Sequence, residues 1–439
     1  MTTWWAARAV VDGNVRDRVV IEERDGIITT ITADDDVPWH ARVLNGVVNP
    51  GAVNAHSHDF HRVLRSRTHR GRDSFWSWRE QMYAAAARLD PESYHALARA
   101  VFAEMLLAGY TAVGEFHYLH HAPGGAAYTD ANEMSHALAS AAQEAGIRLV
   151  LLDTLYLAGG PGVELDATQL RFSDGSVEAW AERTSSLASE GLVTHGLAVH
   201  SVRAVAPDAI AVAAQVARQR DVPLHAHVSE QPRENVEAVA AYGRTPVEIL
   251  RDAGALGADF TAVHATHLTE GDIRDLGGSH VCVCATTERD LADGIGPIPA
   301  LRDAGARLCL GSDSHAVIDP FEEARAIELD ERLGSRRRGT FTGDELLAVM
   351  TTNGASALGL PAAGLTVGAP ADFIEVATSS VRLAGHDGTA IVDALVYAAA
   401  PADVRTVVVA GMERVRDGAH VSIDTAAELD RTIRQVMGT

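Results

Sequence analysis

Eight short apolar runs, most of them separated by helical stretches, constrain this 439-residue chain more than any other feature. The runs lie near Val47–Ala55, Thr111–Phe116, Ile147–Asp153, Thr194–His200, Val222–Val228, Phe260–Ala265, His280–Cys284 and Arg307–Leu310. Each has the length of a strand. The clearest helix between them is Pro91 to Ala108, with Pro just inside its start, apolar residues at three-to-four spacing, and Gly109 past its end. Helices are also predicted over Ala131–Ala145, Val177–Ser189, Pro207–Arg218 and Arg233–Arg251. This alternation predicts an α/β fold, specifically a (β/α)8 TIM barrel.

The two ends read differently. Trp4–Val11, Arg18–Glu22 and Ile27–Ile31 are short β-rich runs broken by Asp-Gly pairs, which marks hairpins. From Gly364 that style returns in Asp372–Val376, Ala394–Tyr397, Thr406–Val409 and around Gly411 and Val421, before a polar helix from Thr425. Neither end is large enough to bury a good core alone. We therefore expect residues 1–48 and 364–439 to meet in one β-sandwich-like domain, flanking a barrel domain of residues 49–363. No internal repeat or low-complexity tract interrupts the pattern.

Composition narrows the partners. A formal charge of −22 and a pI near 5.3 disfavour nucleic acid and anionic membranes, and their plain meaning is solubility. Cys282, Cys284 and Cys309 are too few for a disulfide framework and suit a reducing compartment. Cys282-Val-Cys284 sits in an apolar run and reads as buried strand. No basic region followed by an apolar core opens the chain, and no run has the length of a membrane helix. The expectation is a soluble cytoplasmic protein with a small-molecule ligand, assembled as a homodimer.

In barrels of this kind, chemistry collects at the C-terminal ends of the strands. Here His56 and His58 follow the first run, Glu115 and His117 the second, and His200 and Arg203 the fourth. His227 and Glu230 follow the fifth, His264 the sixth and Asp313 the eighth. Residues two apart on a strand share a face, so His56-Ser-His58 can grip one ion. The set His56, His58, His227 and Asp313 offers three nitrogens and one oxygen, which suits one Zn2+ or Fe2+ with an open position for water. Asp313 is then placed to take the water's proton, Glu230 to pass a proton to the substrate, and His264 to hydrogen-bond the attacking group. That is the outline of a metal-dependent hydrolase, which adds water to an electrophilic carbon and expels a protonated leaving group.

His-Ser-His, His-Val-Ser-Glu, Val-His-Ala and Gly-Ser-Asp together resemble the deaminase branch of the amidohydrolase superfamily. A narrower likeness lies in the segments His56–Arg62, Asp73–Tyr83, Gly109–His121 and Asp293-Gly-Ile, which resemble the formimidoylglutamate deiminases. The resemblance implies a one-metal barrel with a flanking β-sandwich. It also implies hydrolysis of N-formimino-L-glutamate to N-formyl-L-glutamate and ammonia, a step in histidine breakdown. It further implies that Arg79, Tyr118, His200 and Arg203 hold this dicarboxylate, alongside residue 61. Arginine forks suit carboxylates, and Tyr118 adds a hydroxyl donor. The alternative for Arg79 is packing on Trp76 or Trp78.

One departure stands out: the family pattern often has glutamine where this chain has His61, a side chain that can gain charge near neutral pH. His69, His120, His121, His267 and His315 are expected to support the ligands or lie at the surface. Arg289 and Asp290 carry no functional expectation. Two other readings stand beside this one. A deaminase of a heterocyclic amine would want an aromatic or amide-lined pocket, and aromatics are 5% of the chain. An inactive barrel serving as a binding scaffold would be favoured by loss of a ligand, yet all are present.

Overall fold

The computed structural model describes residues 1–69, 75–361, 363–386 and 388–438, with the side chains of Phe75, Trp76 and Thr389 outside that description. The N-terminal segment forms β1 (Thr2–Val11), β2 (Asn14–Arg24), β3 (Ile27–Ala33) and β4 (Arg42–Pro50). Both Asp-Gly pairs make the expected tight turns, with φ of 48° and 71° at Asp12 and Gly13 and 53° and 80° at Asp25 and Gly26. Two successive positive φ values match the twist of the strands they join.

Gly51 divides the first predicted run in two. A Cβ there would lie 2.1 Å from Thr111 Oγ1, so only glycine lets the chain cross at this point. Before it, β4 belongs to the flanking sheet; after it, β5 (Ala52–Ser57) opens the barrel. The expected single strand Val47–Ala55 is therefore two strands in two sheets. Both halves are buried, so apolar character runs on without a break where the chain changes sheets.

The barrel continues through β6 (Tyr110–His117), β7 (Arg148–Leu155), β8 (Val193–Val199), β9 (Leu224–Val228), β10 (Phe260–His264), β11 (His280–Val283) and β12 (Arg307–Leu310). All eight run parallel, with neighbours in space following the order of the chain. Strands covered on both faces carry continuous apolar runs, which is why they were readable. The ring closes at its C-terminal rim. Asp313 N–H donates to the His56 carbonyl at 3.0 Å, and His58 N–H donates to the Asp313 carbonyl at 3.1 Å. Gly311 permits that closure, since a Cβ there would lie 2.6 Å from the His56 carbonyl oxygen.

The two termini meet as expected, in one eight-stranded mixed sheet. The C-terminal segment contributes β13 (Phe373–Val376), β14 (Val404–Val409), β15 (Met412–Arg416) and β16 (Ala419–His420), giving the order β16-β15-β14-β13-β4-β1-β2-β3. Trp4, Ile21, Phe373 and Val408 anchor its own buried cluster, with Trp4 and Phe373 edge to face at 5.4 Å.

One strand reading and two helical readings need correction. Ala394–Tyr397, expected as a strand, lies in the helix Ile391–Ala398, whose Ile391 and Leu395 fall four apart on its buried side. The stretch Arg233–Arg251 is two helices, Pro232–Tyr242 and Pro246–Asp252. Gly243 (φ 67°) ends the first, and Thr245 caps the second ahead of Pro246. The helix expected over Val177–Ser189 stops at Thr184. Pro91–Ala108 stands as read: Asp90 and Ser93 form a capping box, and Gly109 closes it at φ 104°. Among the described residues no helix is long and apolar enough to cross a membrane, and the three cysteines are buried and free.

Candidate active site and metal centre

Strained backbone collects at the C-terminal ends of the barrel strands. Ser229 (φ 52°), His264 (69°), Ala265 (53°), Asp313 (41°) and His315 (58°) all take the left-handed conformation that side-chain-bearing residues avoid. Such strain persists where surrounding structure enforces it, and it gathers at functional sites.

At that rim the four expected ligands converge. His227 Nε2 lies 3.2 Å from both His56 Nε2 and His58 Nε2, while Asp313 Oδ1 lies 3.4 Å from His56 Nε2 and 3.5 Å from His58 Nε2. Hydrogen bonds do not explain this packing. His58 Nδ1 is 3.0 Å from the Phe116 carbonyl and His227 Nδ1 is 2.9 Å from the His200 carbonyl. A carbonyl only accepts, so each Nδ1 carries the proton and each Nε2 turns a bare lone pair inward. Burial, then neighbouring imidazoles, hold His56 and His227 well below the usual histidine range and bring His58 to about 3, so all three are neutral. Lone pairs and a carboxylate facing one another repel unless a cation sits between them. Four donors about 2.0–2.1 Å from one ion in a tetrahedron are separated by about 3.3–3.4 Å, the spacing found here. The residues fit a divalent transition metal.

Three carboxylates surround His264. Its Nδ1 lies 3.3 Å from Glu288 Oε1, and its Nε2 lies 3.8 Å from both Glu230 Oε1 and Asp313 Oδ2. Burial opposes its charge, but Glu230, Glu288 and Asp313 together push it up to about 10, and it hydrogen-bonds to Glu288 through Nδ1. Glu230 also accepts from Arg203 Nη2 at 3.0 Å. Arg203 Nε lies 3.6 Å from Glu234, a fully buried carboxylate that accepts the backbone N–H groups of Ser229 and Glu230.

One cavity of about 530 Å3 opens onto this centre, and His58, His227 and Asp313 reach it together with His61, Arg79, Tyr118, His200, Arg203, Glu230 and His264. Every expected substrate-contact residue lines it. Arg79 comes from the helix Phe75–Ala86 and donates from Nε to Tyr83 Oη at 2.8 Å, its guanidinium 5.1 Å above that ring. Tyr83 is thus an aromatic partner of Arg79 that was not foreseen; the Trp76 side chain lies outside the described residues, as do Asp73 and Ser74. His61 Nε2 is 2.9 Å from Tyr118 Oη, and its ring packs against His58 at 4.6 Å and Trp78 at 5.0 Å. Burial first, and His58 next, hold His61 well below the usual histidine range.

Several expectations shift. Glu115 and His117 do not enter the cavity. Between them Phe116 turns inward against His56 and His227, whereas Glu115 accepts from Ser57 Oγ at 2.5 Å and His117 stacks on Tyr94. His58 and His227 are oriented by backbone carbonyls, not by the spare histidines. His315 instead bridges Ser57 and Ser312, His120 meets the Thr154 carbonyl, His121 meets Asp174, His267 meets the Asp293 carbonyl, and exposed His69 pairs with Asp290. Arg289 pairs with Glu322 and Asp330 at the surface. Tyr83, Tyr156, Glu234 and Glu288 were missed, as was Gln169, which donates to both tyrosines. Tyr156 and Glu288 follow β7 and β11, so the strand-end rule already pointed to them. Tyr83 lies one helical turn beyond Arg79. The aromatic argument also fails: Trp78, Tyr83, Tyr118, Tyr156 and Phe172 concentrate a small total on this one cavity.

A barrel with polar groups on separate strand ends and one buried His3Asp cluster fits a hydrolase class, and comparison agrees: residues 47–414 match the amidohydrolase family, to which this chain belongs. Within it, the chain is 37% identical to the formimidoylglutamate deiminase of Pseudomonas aeruginosa, over 100% of this chain and 99% of that one. It is 29% identical to the 5-methylthioadenosine/S-adenosylhomocysteine deaminase of Halobacterium salinarum, over 95% and 92%. A crystal structure of an amidohydrolase from Brucella melitensis superposes with a TM-score of 0.91 at 31% identity, covering both chains in full.

Proposed function

We propose that this enzyme hydrolyses N-formimino-L-glutamate to N-formyl-L-glutamate and ammonia, breaking a C–N bond in histidine degradation. The observation that carries the reading is the pair of arginines, Arg79 and Arg203, in the same cavity as the His3Asp cluster. An acidic protein has to supply local cations to hold a dicarboxylate, and arginine forks meet carboxylates bidentately. Full-length likeness to the Pseudomonas deiminase supports the same substrate.

His56, His58, His227 and Asp313 would hold Zn2+, with Fe2+ compatible with the same donors. A bound ion supplies Lewis acidity that makes water a nucleophile near neutral pH. The chain's own groups move the protons. Water's oxygen bonds to the formimino carbon as Asp313 and Glu230 accept protons, and both protons finally reach the terminal nitrogen, which leaves as ammonia. Oxygen stays behind as the formyl carbonyl. His264, raised above the usual histidine range by its carboxylate neighbours, would stabilise negative charge on that oxygen through Nε2, and Phe116 packs behind the imidazoles of the candidate ligands.

A site built for two carboxylates should reject analogues with one. Leaving a buried charge without its partner costs roughly 3–5 kcal/mol. N-formiminoglycine should therefore be turned over at least about 10²-fold worse in kcat/KM than N-formiminoglutamate. Arg79→Met or Arg203→Met should narrow that gap by damaging the full substrate more. Equal rates on both compounds would overturn the substrate while leaving the chemistry.

The aromatic walls favour a second reading, deamination of a heterocyclic amine, which is also what the Halobacterium relative's name describes. Higher kcat/KM on such a ring in the same assay would establish it. Free, buried thiols suit a reducing compartment, and the proposal places the enzyme in the cytoplasm as a homodimer, which light scattering on purified protein checks.

A further inference from the structure

Arg203 stands between two acceptors of different kinds. Glu234 is pinned, since its carboxylate is wholly buried and accepts the Ser229 and Glu230 backbone N–H groups at 3.0 and 3.3 Å. Glu230 is the proposed proton carrier, and its Oε2 takes the Arg203 Nη2 hydrogen bond at 3.0 Å. Both Arg203 and Glu230 face the cavity. That charge-assisted bond holds the Glu230 carboxylate turned toward Arg203 and fixes where it points.

We infer that the Arg203–Glu230 pair is a substrate-operated latch: a carboxylate of the bound substrate takes the Arg203 fork and so releases Glu230 for proton transfer. The inference rests on the substrate reading above. Exchange is feasible because the incoming carboxylate replaces the one that Glu230 withdraws, so the buried Arg203 keeps an anionic partner. The substrate shifts the pair because it binds only the open arrangement well. Arg203 thereby acts on the reaction through Glu230, as a positioning residue, and couples recognition of the acid group to catalysis. A small amidine without a carboxylate would find the latch shut even when it reaches the metal centre.

The test uses metal-loaded enzyme with formamidine, which carries the reacting group and no acid, in the presence and absence of glutarate, which supplies the acid groups separately. Glutarate should raise formamidine kcat/KM by about 10-fold, within the usual range of coupling between two ligands. Neutral glutaramide at the same concentration should not. In Arg203→Met the response to glutarate should vanish, and formamidine turnover without glutarate should exceed that of the unaltered enzyme several-fold. Glutarate that leaves formamidine turnover unchanged, or lowers it, in the unaltered enzyme overturns the latch, whatever the variant does. Failure of formiminoglutamate itself to react would instead overturn the substrate reading, so the two failures are distinguishable.

Discussion

His120 lies fully buried beside the Asp153–Arg183 ion pair, donating to the Thr154 carbonyl at 2.9 Å. Burial first, and the Arg183 charge next, lower it to about 4. An unfolded chain binds that proton near pH 6.5 and the folded one only near 4. Stability from this group is therefore complete above pH 6.5 and is lost as pH falls toward 4. By pH 5 the loss is about 2 kcal/mol. Urea unfolding at pH 7 and pH 5 should show a smaller drop for His120→Gln than for the unaltered protein by about that amount. A second contrast separates holding the metal from moving protons. His227→Ala removes one of three imidazoles, so elemental analysis should find the metal lost and activity gone. Glu230→Gln keeps shape but carries no proton, so metal should persist while turnover falls at least about 10²-fold. Near-full rate in Glu230→Gln would remove Glu230 from its role.

Among the elements, the helix Pro91–Ala108 was legible to the residue because its signals are local: Pro91 and Gly109 each act within one turn, and the structure adds the Asp90 cap. Asp90→Ala removes the acceptor for Ser93 N–H and should cost about 1 kcal/mol in a thermal or urea melt. The helix Ile391–Ala398 was misread because Ala-Leu-Val-Tyr has strand-like side chains, and its packing, not its propensity, decides the outcome. Gly243 and Thr245 divide Arg233–Arg251, read as one helix, into two. Glu115 and His117 show the limit of the strand-end rule. It marks the right segment, but the alternation of a strand sends every second side chain away from the barrel centre.

At the scale of the molecule, the barrel and the terminal sheet are joined by more than the chain crossing at Gly51. Arg148 of β7 grips Asp372 bidentately at 2.9 and 3.1 Å, and Asp372 also accepts the Ala410 backbone N–H at 2.6 Å. Hydrogen bonds to charged groups contribute about 1.5–3 kcal/mol each. Arg148→Met should lower the melting temperature within a single transition, read by calorimetry. Two resolved transitions would mean that the sheet and barrel unfold separately.

The barrel strands, the hairpin turns and the polar residues at strand ends were readable in the sequence because each depends on short-range patterns: apolar runs, turn pairs and placement just past a strand. The tertiary structure alone decided which of those polar residues share a space. His58 and His227 are far apart in the chain and meet at 3.2 Å only because the ring closes through Asp313. The same closure concentrates five aromatic side chains on one cavity and sets Arg203 between Glu230 and Glu234. Local pattern specifies each strand and what stands at its end, whereas curvature of the whole sheet specifies what each end faces.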